Sequence, residues 1–222
     1  MSGILGSVLT ELIPLALVVA LSPLSIIPAV LVLHSPNPRP TGLAFLAGWL
    51  VGLAALTAIF VEVSNLFGAL DEPPTWASWL RIVVGAALIV FGIYRWFTRA
   101  KSEHSPKWMQ SLSKLTPPRA AAAGAVLTVV NPKVLFICVA AGLAIGSAGL
   151  GQPGVWAAGL YFVIFAGSTV GLPILAYAVS GERLDPALAR LKDWMERNHA
   201  TLVAAILIVI GLLVLYKGIH AL

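Results

Sequence analysis

Residues 129–136 read VVNPKVLF, and this stretch, set within a long apolar run, decides how the chain must fold. Residues 20–27, ALSPLSII, repeat its design, since in both a small polar residue stands directly before a proline. Proline removes a helical hydrogen bond and frees a carbonyl group, which is costly in lipid unless protein or water satisfies it. Both stretches therefore predict unwound backbone facing an internal cavity, although two ordinary proline kinks would give the same pattern.

The composition places these stretches in a membrane. The 222-residue chain is 59% hydrophobic and only 10% charged, whereas a soluble domain carries about 25% charged residues. Six spans of about 20 residues use nearly the whole chain, so we expect a multi-pass protein of the inner (plasma) membrane without a soluble catalytic domain. The apolar runs predict these spans at 6–33, 40–63, 78–97, 119–146, 153–179 and 199–219. The first and fourth runs are long and contain prolines, so tilt or a break is expected there.

The connections between the predicted spans carry basic residues only in alternate positions. Of the 14 basic residues, six lie in the third connection and the span ends next to it (95–119) and four lie in the fifth connection, while the second and fourth connections carry none. Basic connections stay cytoplasmic, so both termini are expected outside. The net charge of +5 comes from basic residues placed in these connections, which is a signal of membrane topology and does not indicate a nucleic acid partner.

The two halves of the chain share the order of their features. Spans two and five each begin after a proline and a glycine, at Pro40-Thr41-Gly42 and Pro153-Gly154. Three spans per half is an odd number, so the second half must lie upside down relative to the first, as in many secondary transporters. We therefore predict an all-α membrane protein of two inverted three-helix repeats, residues 1–97 and 119–222, joined by a basic cytoplasmic linker at 98–118.

Lys133 is the most informative single residue. It lies near the middle of the fourth span, where a lysine costs about 2.5–3.5 kcal/mol on insertion scales and cannot snorkel to a helix end. It must face a wet cavity or a counter-charge; an anionic substrate group is one partner, and a structural ion pair is the alternative. The predicted substrate-binding residues are Ser22, Pro23, Ser25, Asn131, Pro132 and Lys133.

Three further charged residues are candidates for coupling or gating. Glu11 and Glu62 lie in apolar surroundings toward the predicted outer side, and Arg81 begins the third span on that side. A structural Glu62–Arg81 pair that closes the outer end is one interpretation, and proton coupling through Glu11 or Glu62 is the other.

Several chemistries are not expected. The single cysteine, Cys138, and four scattered histidines predict no metal site, and no cofactor is predicted. Nucleotide-binding and nucleophile-elbow motifs are missing. The spans also offer no set of nucleophile, base and orienting group, so the protein is not predicted to be an enzyme.

At residues 21–28, LSPLSIIP, and 130–133, VNPK, the chain resembles the LysE superfamily of small exporters. Within that group it is most similar to the sulfolipid- and glycopeptidolipid-addressing (Sap/GAP) proteins, with residues 42–52 adding to a likeness that covers essentially the whole chain. The resemblance implies delivery of lipids, often acidic glycolipids, to the outer face of the membrane. Relatives that perform thiol redox chemistry need a cysteine pair, which Cys138 alone cannot supply.

These observations predict an exporter of an anionic envelope (glyco)lipid across or out of the inner membrane. The alternative is a proton-coupled exporter of a small polar metabolite such as an amino acid. A third hypothesis is a scaffold that recruits a lipid-synthesis enzyme through the basic 98–118 segment. The expected partners are the lipid substrate and lipid-synthesis or export proteins, and the glycine-rich spans are compatible with a homodimer.

Overall fold

The computed structural model describes residues 2–67, 112–191, 193–194, 197–198 and 208. The predicted third span, and all of the sixth except Ile208, lie outside these residues. Secondary structure in the described ranges is exclusively helical, as predicted, and no strand occurs in them. The chain divides into two compact units, Met1–Ala69 with Pro106–Lys192, and Leu70–Ser105 with Asp193–Leu222. In the second unit the few described residues are helical.

Six α-helices of the first unit carry the architecture. They are α1 (Ser2–Ala20), α2 (Pro23–Val32), α3 (Pro38–Phe67), α4 (Pro117–Val130), α5 (Pro132–Gly146) and α6 (Gln152–Ser180). Within the described ranges, α1, α3 and α6 are each long and apolar enough to cross a membrane, and α4 with α5 makes a fourth crossing if the bent pair is one span. The protein is therefore a membrane protein with three or four candidate spans in the described part of the chain.

The chain unwinds at the two proline stretches, as predicted. Ser22 (φ −76°, ψ 119°) and Asn131 (φ −80°, ψ 103°) both adopt extended backbone. The following prolines take the first position of α2 and α5, where their missing N–H groups are not needed. The axes of α4 and α5 differ by 73°. By contrast, α1, α2 and α6 continue through their internal prolines, Pro14, Pro28 and Pro173.

The two longest helices, α3 and α6, pack antiparallel. A Cβ atom at Gly42 would lie 3.4 Å from Ile174, one at Gly171 3.7 Å from Leu46, and one at Gly167 2.6 Å from Leu50. Residue numbers therefore rise along α3 as they fall along α6.

Both halves of the broken pair α4–α5 pack along α3, and they run in the same direction as α3. Where α4 packs on α3, a side chain at Gly48 would clash with the carbonyl oxygen of Ala121, and one at Gly52 with the Thr128 hydroxyl. Farther along α3, a Cβ atom at Gly142 would lie 2.6 Å from Phe60. Gly48 and Gly52 are therefore close-packing positions, because only glycine lets the two backbones approach so closely.

The other broken pair, α1–α2, packs on α6, and α1 also contacts α5. Val8, Leu12, Ala16 and Val19 form the buried stripe of α1, at the spacing that places side chains on one face of a helix. Each broken pair thus rests on the long helix of the other half. A short 3-10 segment, Leu112–Lys114, contacts α2 and buries Leu112.

Charge separates the two ends of this unit. The Arg39 guanidinium at the start of α3 lies beside Gly181, which follows α6, and α4 begins at the same end because Ala121 meets Gly48. Exposed basic side chains cluster there: Arg39, Lys114, Arg119 and Arg183. At the opposite end, where α3 and α5 finish and α6 begins, the described residues include Glu62 and no basic residue. Connections predicted to share the cytoplasmic side therefore do share one end.

Candidate functional site

The first part of the site is the break at Asn131, which caps one helix and starts the next. Its side-chain Oδ1 accepts a hydrogen bond from the backbone N–H of Lys133 at 3.2 Å. Its own N–H donates to the Leu127 carbonyl at 3.1 Å, and its carbonyl accepts from the Leu135 N–H at 3.0 Å. Asparagine suits this position because its side chain replaces a helical acceptor that the break removes.

The second part is the break at Ser22. The Ser22 carbonyl accepts hydrogen bonds from the N–H groups of Ser25 at 2.9 Å and Ile26 at 3.2 Å, which starts α2. In an unbroken helix the Ala20 carbonyl would accept from residue 24; here the Thr169 hydroxyl of α6 donates to it instead. The protein therefore satisfies a backbone group that the break has freed, which lipid could not do.

Polar side-chain atoms near both breaks are buried and lack partners. Ser22 and Ser25 are 1% and 0% exposed, and neither hydroxyl has a hydrogen-bond partner among the described residues. Buried polar groups almost always find a partner, so an unpartnered set beside unwound backbone is typical of a site that receives water or a ligand.

Lys133 is the second residue of α5, and its Nζ atom is buried. No acceptor within the described ranges bonds this ammonium group, so the structural ion pair gains no support from them. The amino end of α5 carries a partial positive charge, which adds to the charge of the lysine. The local field at this break therefore attracts an anion.

The six predicted substrate-binding residues fall into two groups, one at each break. Ser22, Pro23 and Ser25 lie at the start of α2, and Asn131, Pro132 and Lys133 at the start of α5. The two broken pairs touch through α1 and α5, so the structure joins the elements that carry both groups.

The predicted coupling residues are placed elsewhere. Glu62 is exposed and accepts a hydrogen bond from Asn65 Nδ2 at 3.3 Å. α5 reaches that level of α3 at residues 142–146, about 14–20 Å along its axis from Lys133 at 1.5 Å per residue, so Glu62 does not pair with Lys133. Glu11 is half-buried in the middle of α1 and is engaged in an interaction. Arg81 lies outside the described residues, and its pairing with Glu62 stays a prediction.

Two relevant residues were not found from the sequence. Thr169 requires the tertiary contact between α6 and α1, for which no local signal exists. Trp49 is fully buried and stacks on Phe45 at a centroid distance of 6.3 Å. Its indole N–H has no partner in the described part of the chain. A tryptophan in the middle of a span, away from the interfacial belts, was a signal that could have drawn attention to it.

Comparison with known families gives a match over nearly the whole chain. The family model described as Sap, sulfolipid-1-addressing protein, matches residues 12–220. Comparisons with curated proteins and with solved structures give no significant match. The chain belongs to the sulfolipid-1-addressing protein family.

Proposed function

We propose that this protein is a transporter that moves an anionic envelope lipid across or out of the inner membrane. The observation that carries the proposal is the buried, unpartnered ammonium group of Lys133 beside a broken helix. Its family is described by the addressing of a sulfolipid rather than by a reaction. A sulfated glycolipid is accordingly the first substrate class to test.

The residues at the two breaks have distinct roles in this proposal. Lys133 binds the anionic group through a charge-assisted hydrogen bond, which contributes about 1.5–3 kcal/mol. The hydroxyl groups of Ser22 and Ser25 donate to neutral oxygens of the head group. Asn131 holds the start of α5 in place through its bond to the Lys133 N–H and is therefore a positioning residue.

The inverted repeat, with boundaries at 1–97 and 119–222, is part of the same proposal. Three observations support it: the matching backbone angles at Ser22 and Asn131, the packing of each broken pair on the other half's long helix, and the antiparallel α3 and α6. The parallel direction of α3 and α4–α5 is a fourth supporting observation. Two spans that cross a membrane in the same direction must be separated along the chain by an odd number of further membrane crossings. One such crossing was predicted at 78–97, outside the described residues.

The proposal is tested by transport of a fluorescent sulfated glycolipid in liposomes containing the full-length protein. Lys133→Ala should weaken binding of the lipid by about 10- to 150-fold, the equivalent of about 1.5–3 kcal/mol, and should abolish transport at low substrate. Lys114→Ala is the matched control, since it removes an exposed lysine from the basic end of the same unit. Transport that is equal in wild type and Lys133→Ala would refute the assignment.

Export of a small polar metabolite is the competing function, and the same liposomes distinguish it. That function requires a membrane carboxylate close to the substrate site. Glu62 is exposed and remote from Lys133, so Glu11, on a helix that contacts α5, is the carboxylate that this alternative needs. Proton-driven efflux of amino acids with no movement of the glycolipid would favour this alternative.

A further inference from the structure

A groove of about 190 Å³ lies between α3 and α6, and no residue of either helix break lines it. Its walls are mainly apolar, and every lining residue comes from these two candidate spans. The lining includes Ala54, Thr57, Glu62, Gln152, Trp156 and Val163.

Polarity changes along the groove. Because α3 and α6 are antiparallel, Glu62 and Gln152 lie together at one end, whereas Ala54 and Val163 lie at the other. Apart from these two residues, the described lining contributes polar groups only through the Thr57 hydroxyl and the Trp156 indole N–H. The groove is therefore amphipathic along its length, with its polar end where α3 finishes and α6 begins.

The groove is open to the surroundings of the protein. Trp156 and Leu160 on its rim are 71% and 62% exposed, and no atom of the described residues lies within 4 Å of the position that a Cβ atom would take at Gly159. In a span, side chains exposed in this way face lipid rather than water.

We propose that this groove binds one acyl chain of a membrane lipid, with the carboxylate of Glu62 and the amide of Gln152 bonding hydroxyl groups near its polar end. The proposal rests on the proposed lipid transport and adds a second contact region for the substrate. The negative charge of Glu62 disfavours a sulfate or phosphate at this end, so the groove receives the neutral part of the lipid. An acyl chain offers the narrow apolar shape and single polar end that the lining matches.

A second copy of the chain fits this groove less well. Packing another protein on this face would desolvate the exposed Glu62 carboxylate, and none of the lining residues is basic. Burying an uncompensated charge in that way is strongly unfavourable. An acyl chain leaves the carboxylate at the groove's polar end in contact with head groups and water.

The test uses full-length protein in nanodiscs that contain a neutral glycosyl diacylglycerol with a photoactivatable diazirine near the end of one acyl chain. Cross-linked peptides are mapped by mass spectrometry. We expect cross-links in residues 54–61 and 155–163, and their loss in Gly159→Phe, whose ring fills the groove. Ala157→Phe is the matched control, because it adds the same side chain at an exposed position of α6 that does not line the groove.

Groove cross-links that persist in Gly159→Phe, or that occur only elsewhere in wild type, overturn the proposal. It is also overturned if Gly159→Phe converts a dimer to a monomer while lipid cross-linking is unchanged, which would identify a second copy as the occupant. Gly159→Leu, with a smaller side chain, repeats the measurement if the phenylalanine variant does not fold. The lipid-transport proposal is judged separately by Lys133→Ala, which should lose transport and keep the groove cross-links.

Discussion

Replacing Gly48 by alanine tests the closest helix contact found at the glycines that the structure describes. A methyl group at this position would clash with the carbonyl oxygen of Ala121 and would lie 2.7 Å from its carbonyl carbon and 2.9 Å from its Cα. All three atoms belong to backbone, so no side chain can rotate away, and α3 and α4 must separate. Overpacking of this kind costs about 1–3 kcal/mol.

The control is Gly159→Ala on α6, where the added methyl group meets no atom of the described part of the chain within 4 Å. Alanine has a higher helix propensity than glycine by about 1 kcal/mol, and both variants gain it. The difference between them therefore isolates the helix contact. For a chain of this size about 1–3 kcal/mol corresponds to a Tm roughly 2–12 °C lower for Gly48→Ala than for Gly159→Ala.

The assay is thermal unfolding of the purified proteins in one detergent, followed by tryptophan fluorescence. A Tm for Gly48→Ala equal to or above that of Gly159→Ala would show that α3 and α4 do not meet at this glycine. The parallel packing of α3 with α4–α5 would then be wrong. The inference that an odd number of membrane crossings separates these two spans would be wrong with it.

Two further predictions concern the break at Ser22 and the orientation of the unit. Thr169→Val keeps the shape of the side chain but leaves the Ala20 carbonyl unpaired, and should destabilise the protein by about 1–3 kcal/mol. The control, Ser168→Ala, removes only a hydroxyl bonded to Phe165 within α6 and should change the Tm little. Equal Tm values for the two variants would contradict the role of Thr169. The orientation is tested by cysteine labelling in a Cys138→Ala background. Ser147→Cys should react with a membrane-impermeant maleimide in intact cells, whereas Lys114→Cys should react only after permeabilisation. Labelling of both variants from the same side would contradict the orientation.

Much of the fold could be predicted because lipid imposes simple rules on the backbone. The long apolar runs predicted where helices form, and α3 and α6 begin and end close to the predicted second and fifth spans. The breaks at Ser22 and Asn131 followed from a polar residue before a proline. At Pro14, Pro28 and Pro173 the preceding residues are apolar and the helices continue. A proline alone therefore does not predict a break.

The difference between these prolines has a physical cause. A break in an apolar environment requires replacements for the lost backbone hydrogen bonds. Asn131 supplies one from its own side chain, which is local and can be anticipated from the residue type. Ser22 makes no such side-chain cap, and its break depends on Thr169, 149 residues from Ala20 in sequence. No spacing rule predicts that contact.

In the candidate site, too, some features follow from the local sequence and others depend on tertiary contacts. The insertion cost of a lysine predicted that Lys133 needs a polar environment, and its position at the start of α5 follows from Pro132. Sequence reasoning could not distinguish a substrate from a counter-charge, because that choice depends on which carboxylates come near. The structure places Glu62 at the far end of α5 and gives Lys133 no acceptor in the described ranges. A buried cation at a helix start, with unpaired serine hydroxyls on the neighbouring broken pair, is stabilised most directly by an anion that arrives from outside the chain, and this is the physical reason to expect an anionic substrate.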